Sequence, residues 1–427
     1  MEPAGRLEPL PGWMQDQPTA AVLEALAAEG AAVRFCGGCV RDAILGLPQS
    51  DVDLATPDAP ETVMRLLARA GIKVVPTGIA HGTVTAIIGG RSFEITTLRR
   101  DVETFGRHAR VAFTDDWQAD ASRRDFTINA LYADADGTLY DPFGGRADLV
   151  AGRVRFVGEA RRRIEEDVLR ILRFFRFHQR FGQGEPDPMA LAACSELAHL
   201  LPKLSGERVR AELFRILIGP DPAASLKLMH AAAVLGRILP EAAPTTALAR
   251  LAELETDERL TQSPLRRLAI VLPADVAATE RVGERLRLAN AEMHRLAALA
   301  RERGAIDPKA DAAARRRLLY RLGALLTGDL VLIAWAEYSP ERIQAAVGGF
   351  RAWLTAAESW TPPHLPIGGA DIVALGIHPS PRVGALLAEL EAWWIDGDFQ
   401  ADRTLCLAQA ARLVGAAPAG AAGSDPP

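Results

Sequence analysis

The sequence predicts an α+β protein: a mixed α/β head with a small sheet, followed by an all-helical neck, body and tail. Three observations predict it. Strand-like alternation, paired glycines and hairpin turns are confined to the chain before about Val154. Beyond it the patterns are almost all helical, punctuated by Pro202, Pro220, Pro240, Pro273 and the Pro362-Pro363 pair. Of the 427 residues 49% are hydrophobic, mainly Ala, Leu and Val, and only 6% are aromatic, which leans toward helix. This length asks for several domains. We divide it into an N-terminal extension (1–18), head (19–153), helical neck (154–220), body (221–350), tail (351–415) and a disordered end (416–427) rich in Ala, Gly and Pro.

The head's elements follow in order. Thr19 to Glu29 carries Val22, Leu23 and Leu26 on one helical face, with Gly30 where the helix stops. Ala31 to Phe35 reads as a strand running into Gly37-Gly38, and Val40 to Leu45 as a helix. Asp51 to Ala55 alternates as a short strand, and Pro60 opens a helix through Ala70. Ile72–Thr77, Gly82–Ile88 and Phe93–Leu98 follow, the last two forming a hairpin about Gly89-Gly90. The charged stretch Arg99 to Gln118 reads as a long mobile loop. Asp125 to Tyr132 reads as helix, before turns at Asp136-Gly137 and Asp141 to Gly145.

Composition narrows the function. A net charge of −5 runs against a nucleic-acid binder, although clustering on one face counts for more than the sum. Lysine is almost absent; genomic base composition explains the arginine bias best, and it locates no site. Cys36, Cys39, Cys194 and Cys406 make no secreted disulfide framework at this length. Cys36-x-x-Cys39 suits neither a redox motif nor zinc, since it lies in a glycine turn with no partner ligands. Met1 to Trp13 holds no basic-then-apolar run, and no eighteen consecutive apolar residues occur, so a cytoplasmic location is expected.

Four elements carry candidate chemistry. In Gly37-Gly38-Cys39-Val40-Arg41-Asp42, paired glycines before a helix let backbone N–H groups approach an anion. Asp51 and Asp53 alternate onto one side of a strand, and Mg²⁺ suits such a pair, whereas alone it would be a solvated strand edge. Glu94 is either a third acidic group for the metal or an exposed strand residue. Arg123-Arg124 at a helix start, with Asn129 one turn on, suit a nucleoside triphosphate, or form an ordinary basic helix end. In the neck, a helix from about Ile164 to Phe177 would put Ile164, Val168, Ile171, Leu172 and Phe175 on one face. Asp167, Arg170, Arg173 and Arg176 step around the other in threes, Asp167 beside Arg170. Phe174 and Phe177 share that polar side, so the head and a nucleotide are expected to cover it.

The order GGCVRD, DVD, HGTV (His81 to Val84), RRDFTINAL, DPFGG and EEDVLRILRFFRF resembles the class II CCA-adding enzyme and bacterial poly(A) polymerase family, of the polymerase β nucleotidyltransferase superfamily. The resemblance is strong over residues 30 to 220 and looser beyond. It implies a template-independent enzyme adding C, C and A from CTP and ATP to the tRNA 3′ end. Asp51 and Asp53 would hold two Mg²⁺ ions (Mn²⁺ as substitute), with Glu94 a third donor. The Gly38 backbone and the Arg41, Arg124 and Asn129 side chains would bind the nucleotide. Asp167 and Arg170 would read the base, with Arg173 and Arg176 serving the triphosphate or positioning. An acceptor and a donor side by side match the amino and ring-nitrogen edges of cytosine and adenine, and oppose those of guanine and uracil. The Arg99–Gln118 loop is the candidate for the C-to-A switch, since CC-only members are expected to have it shortened. Ser205-Gly206-Glu207-Arg208, with Glu212, reads as an N-capped helix start with ion pairs, structural rather than catalytic. The arginine runs 301–303 and 315–317 are RNA contacts or solvated faces, and the Trp393-Trp394 pair is core. A poly(A) polymerase and an A-only enzyme share the catalytic residues and stand as alternatives.

Overall fold

The computed structural model describes residues 1–48, 51–105 and 108–416. The expected disordered end therefore lies, from residue 417, outside the described residues. Two compact units form: one of Met1–Ala249, Gln262–Val271 and Arg281–Leu288, the other of Arg250–Thr261, Leu272–Glu280 and the chain from Ala289 on.

In the first unit the strands are β1 (Gly5–Arg6), β2 (Arg34–Cys36), β3 (Val52–Thr56), β4 (Lys73–Gly78), β5 (Thr83–Ile88), β6 (Arg91–Thr97), β7 (Arg99–Phe105), β8 (His108–Phe113), β9 (Tyr132–Ala133) and β10 (Thr138–Tyr140). Eight of them make one mixed sheet in the order β1-β10-β9-β2-β3-β6-β5-β4, in which β3 and β6 run parallel. Helices α1 (Gly12–Gln15), α2 (Gln17–Ala27), α3 (Gly38–Ile44) and α4 (Pro60–Arg69) accompany its first half. Asp16 caps α2 by accepting from Thr19 N–H at 3.0 Å. Strand alternation sorts the sheet's two faces. Phe35, Val52, Leu54, Phe93 and Ile95 pack with Val22, Leu26, Val63 and Leu67, leaving Asp53 and Glu94 on the opposite face.

Two expectations for the head are corrected. The Arg99–Gln118 stretch is a two-stranded hairpin, β7 with β8, leading into helix α5 (Trp117–Ser122). Alternating Val102, Thr104 and Ala109, Val111, Phe113 carry the strand signal that the charges between them obscured; Gly106 and Arg107 lie outside the described residues. Asp125 to Tyr132 is not a helix. Phe126 is extended and bridges Phe156, a short 3₁₀ turn spans Thr127–Asn129, and β9 begins at Tyr132. Phe126, Ile128, Ala130 and Leu131 are buried in turn, so apolar residues surround this segment and a helix-period count misreads it. Arg123 and Arg124 consequently follow the end of α5 instead of opening a helix.

Helices α6 (Gly145–Val150), α7 (Ala160–Glu166), α8 (Arg170–Phe181), α9 (Pro188–Glu196), α10 (Gly206–Leu217), α11 (Pro222–Ala231) and α12 (Leu235–Ile238) continue the unit. The expected Ile164–Phe177 helix is broken at Asp167, which is extended at φ −149°, ψ 105°. Its carboxylate accepts from Leu169 N–H at 3.1 Å, a local bond that competes with the helical ladder and restarts the chain as α8. Phe174 and Phe177 are buried, as expected, against Phe126 of the head, with Phe174 also against Phe156. Ser205 makes no side-chain cap to α10, contrary to expectation.

The second unit is helical, including Asn290–Arg301, Ala312–Leu322, Ala324–Glu337, Ile343–Glu358, Pro381–Asp396 and Arg403–Ala416. Trp335 stacks on Phe350 at 5.4 Å, and buried Trp353 donates to the Asp307 carbonyl at 2.8 Å. Of the expected core pair, Trp394 is buried and Trp393 is 37% exposed. In the arginine runs, Arg303 pairs with Glu337 and Arg316 with Asp398.

A Cβ at Gly145 would overlap the Thr127 carbonyl oxygen, whereas one at Gly236 in α12 would meet nothing within 4 Å. Gly145→Ala should therefore destabilise by about 1–3 kcal/mol, lowering the urea midpoint. Gly236→Ala should be neutral or stabilising by up to about 1 kcal/mol.

Candidate active site

The parallel β3–β6 register makes Asp53 and Glu94 direct neighbours, and Asp51 stands exposed just ahead of β3. Burial, then the Glu94 charge, pushes the Asp53 carboxyl up to about 6, with Arg124 pulling the other way. Such a group gains from a hard cation. Among the described residues no three or more His, Cys, Asp and Glu side chains are already gathered as a metal-ligand set.

Beside the carboxylates, β2 ends at Cys36 and Gly37 turns the chain into α3 at φ 70°, ψ −123°. Only glycine adopts this readily, and a Cβ there would lie 3.0 Å from Arg124 Nη1. Gly37 thus makes room for the Arg124 guanidinium. Arg124 Nε donates to Tyr132 Oη at 3.2 Å and Nη2 to Asp120 at 3.2 Å, while Tyr132 Oη donates to Asp120 at 2.7 Å. Arg123 also pairs with Asp120, at 2.7 Å.

A chain of alternating charge runs from α3 to α10. Arg41 pairs with Asp42 at 2.8 Å and donates to Asn129 Oδ1 at 2.6 Å. Asn129 Nδ2 donates to Asp125 at 3.0 Å, and Arg173 Nε donates to Asp125 at 2.7 Å. Arg176 Nε donates to Glu212 at 2.6 Å, and Arg173 approaches that carboxylate at 3.8 Å. Arg41 lies over Phe181 at 4.2 Å and Arg176 over Phe177 at 4.4 Å, aromatic supports that hold each guanidinium plane.

At the α7–α8 break the expected Asp167–Arg170 pair is not formed. Asp167 is bound by Arg208, whose Nη2 donates to its two oxygens at 3.0 and 2.8 Å. Arg170 Nη1 donates to Glu166 at 2.9 Å and Nη2 to the Arg123 carbonyl at 2.9 Å. Extending Asp167 out of the helix turned it toward α10, so the two residues read as partners from spacing each acquired another.

All eleven predicted site residues nevertheless line one cavity of about 930 Å³: Gly38, Arg41, Asp51, Asp53, Glu94, Arg124, Asn129, Asp167, Arg170, Arg173 and Arg176. Its wall carries eight arginines and five carboxylates, and Asp42, Asp120, Glu166 and Glu212 pair with those arginines from behind it, so charge-matched guanidinium groups are gathered on one wall. That is the clustering a polyanion needs.

Residues 33–155 match the family model described as "Poly A polymerase head domain", and residues 185–245 that of "Probable RNA and SrmB- binding site of polymerase A". The human protein named CCA tRNA nucleotidyltransferase 1, mitochondrial, is 34% identical over 87% of this chain and 84% of its own. A Limosilactobacillus fermentum CCA-adding enzyme is 30% identical over 96% of this chain and 99% of its own. The chain belongs to the class II CCA-adding tRNA nucleotidyltransferase family. A Bacillus stearothermophilus CCA-adding enzyme, crystallised with CTP, superposes with a TM-score of 0.75 at 26% identity, covering 95% of this chain and 98% of that one.

Within this CCA-adding architecture the sequence reading missed Arg215 and took Arg208 as structural; both line the cavity from α10. Their seven-residue spacing, with Glu212 between, was the available signal: it sets all three on one helical face. It also missed Asp120 and Tyr132, the buried supports of Arg124. The Cys36 and Cys39 thiols are buried, which pushes Cys36 up to about 11 and Cys39 higher still, so neither is poised as a thiolate.

Asp120 yields a pH prediction. Burial acts to raise its pKa, but the Arg124 and Arg123 charges and the Tyr132 hydroxyl outweigh burial and bring it down to about 2. A carboxyl depressed from its unfolded value of about 3.9 contributes stability above that value and loses it as pH falls through 2. Asp120→Asn should therefore cost about 2–3 kcal/mol at pH 7. Urea titrations at several pH values should find the gap closing between about pH 4 and 2.

Proposed function

We propose that the chain adds C, C and A from CTP and ATP to the 3′ end of tRNA without a nucleic-acid template. The observation carrying this reading is that the carboxylates of the head and the Asp167/Arg170 set of the neck open into the same cavity. Nucleotidyl transfer needs acidic ligands beside a triphosphate, and selection without a template needs protein groups that meet the base.

In this reading the tRNA 3′ oxygen attacks the α-phosphorus of the incoming nucleotide, and pyrophosphate leaves. Asp51 and Asp53 would hold Mg²⁺ (two ions, Mn²⁺ as substitute) with Glu94 as a third donor, and the metal when bound would supply nucleophile activation and charge neutralisation. Gly38, opening α3, brings backbone to the phosphates. Arg124, fixed by Asp120 and Tyr132, adds charge there without having to reorganise. Arg41 joins Gly38 at the phosphates and Asn129 serves the sugar side, the two held by their link to Asp125. Arg173 and Arg176 supply further positive charge or hold the pocket's shape.

For base choice, Asp167 accepts and Arg170 donates. Cytosine and adenine each offer an amino donor beside a ring-nitrogen acceptor; uracil and guanine offer a carbonyl beside an N–H. A matched contact is worth roughly 1–3 kcal/mol, and a mismatch leaves buried polar groups unpaired. The β7–β8 hairpin, in the segment assigned to the C-to-A switch, favours full CCA addition over CC alone. We retain the division at residues 153/154, 220/221, 350/351 and 415/416, with body and tail holding the tRNA through shape and phosphate contacts. Among the described residues no single helix is long and apolar enough to cross a membrane. We place the reaction in the cytoplasm, noting that the human relative is named as mitochondrial.

The test is incorporation of labelled nucleotides into tRNA lacking its CCA end, with Mg²⁺ and each triphosphate alone or mixed. Three additions, C, C and A, followed by a stop are expected. Asp53→Asn should lower the rate by about 10³-fold or more. Unlimited A addition would identify a poly(A) polymerase, A addition only after CC would identify a split-activity enzyme, and no transfer would overturn the enzymatic reading.

A further inference from the structure

Asp167 lies on an extended residue between α7 and α8, outside either helical ladder. Its side chain is held from two sides. Leu169 N–H donates to Oδ1 at 3.1 Å, and Arg208 Nη2 donates to Oδ1 and Oδ2 at 3.0 and 2.8 Å. Arg208 itself is well anchored. It occupies the first turn of α10, whose start is seated so closely that a Cβ at Gly206 would overlap the Arg285 carbonyl oxygen. Arg210 Nη1, half a turn on, donates to the Arg287 carbonyl at 2.8 Å. The Arg208 side chain is 23% exposed and lines the same cavity as Asp167.

We propose that Arg208 is a specificity-determining positioning residue, which acts through Asp167 to keep C and A in and U and G out. The proposal rests on the function given above. A carboxylate has about four lone-pair sites. Arg208 and Leu169 occupy those that would otherwise let it turn, and the remainder accept from the cavity in one fixed orientation. A base with an amino group completes that acceptor. A base with a carbonyl at the same place meets oxygen against oxygen, and the carboxylate, held at both atoms, cannot swing aside to relieve it. Charge-assisted bonds of this kind are among the stronger ones available to hold a side chain. Glu166 restrains Arg170 in the corresponding way, at 2.9 Å. Reading is thus done by two groups that are each pinned by a residue of opposite charge. Without Arg208 only Leu169 N–H holds Asp167, at Oδ1, so Oδ2 can swing aside and the carbonyl bases lose their penalty.

The experiment measures kcat and KM for CTP and UTP on tRNA lacking its CCA end, with Mg²⁺, for the full chain and for Arg208→Ala, Arg208→Gln and Arg208→Lys. The ratio of kcat/KM for CTP over UTP should fall about tenfold or more in Arg208→Ala and Arg208→Gln, equivalent to about 1.4 kcal/mol. Arg208→Lys should recover part of it. In an Asp167→Ala background, Arg208→Ala should leave the ratio where Asp167→Ala put it. A ratio unchanged from the unmodified chain, with both nucleotides slowed alike, would mean that Arg208 only braces the fold and would overturn the proposal. Thermal melting identifies any variant that fails to fold, and the same ratio is then read from the remaining two. An unmodified chain that transfers no nucleotide would overturn the functional reading instead, and this one with it.

Discussion

The Asp125–Arg173 ion pair is the contact on which the site's geometry depends. Asp125 is buried directly after the two arginines that end α5, in a segment too apolar to leave a carboxylate unpaired. Arg173 answers it from α8, and the pair connects the head's RRD segment to the neck. From there the charges alternate: Asn129, Arg41 and Asp42 on one side, Glu212, Arg176 and Arg215 on the other. A buried network of this kind contributes little net stability, because desolvation offsets most of its attraction, but losing one member strands the next. Its value here is geometric. Each guanidinium has a partner of opposite charge, so the arginines on the cavity wall hold their places without mutual repulsion dispersing them. Beneath the polar chain, Phe126, Phe156, Phe174 and Phe177 form the apolar layer that keeps water from competing.

Legibility in the sequence followed how local each signal was. Paired glycines, proline helix starts and strand alternation depend on neighbours within a few positions, and these located β3, β5, β6, α2 and α4 to within two or three residues. The placement of Asp53 and Glu94 on one face also followed from alternation alone. The errors arose where tertiary context outweighed local pattern. The β7–β8 hairpin carries its β-branched residues between charges, so composition masked periodicity. RRDFTINAL has helical-looking spacing but is buried on every side, and only the structure shows Phe126 pairing with Phe156 instead of continuing a helix.

Asp167 is the instructive case. Helical spacing placed it beside Arg170, and both do line the cavity, yet their partnership was misread because a single extended residue separates two helices. A carboxylate can restart a helix by accepting from an N–H two residues on, and nothing in a hydrophobic period records that. The consequence reaches beyond one ion pair. It released Asp167 to be held by Arg208, a residue that the sequence reading placed in a structural helix start.

The arginine excess poses the opposite problem: an Arg-rich chain offers many candidate anion contacts and no sequence rule for choosing among them. Burial and partner count choose. Arg303 is matched by Glu337 and Arg316 by Asp398, surface pairs that contribute little to stability. On the cavity wall eight arginines face five carboxylates, of which Asp51, Asp53 and Glu94 stand apart beside β3 and β6. The remaining two, Asp125 and Asp167, each pair with an arginine, and Asp42, Asp120, Glu166 and Glu212 pair with others from behind the wall, so the side away from β3 presents oriented, charge-matched guanidinium groups. A guanidinium has five donors, and a structural partner uses one or two. An incoming polyanion can therefore be bound by donors that the network has already oriented, without breaking the ion pairs that orient them. The separation of groups within one cavity, carboxylates at the sheet and guanidinium groups toward α8 and α10, is what lets it meet a cation and a triphosphate together.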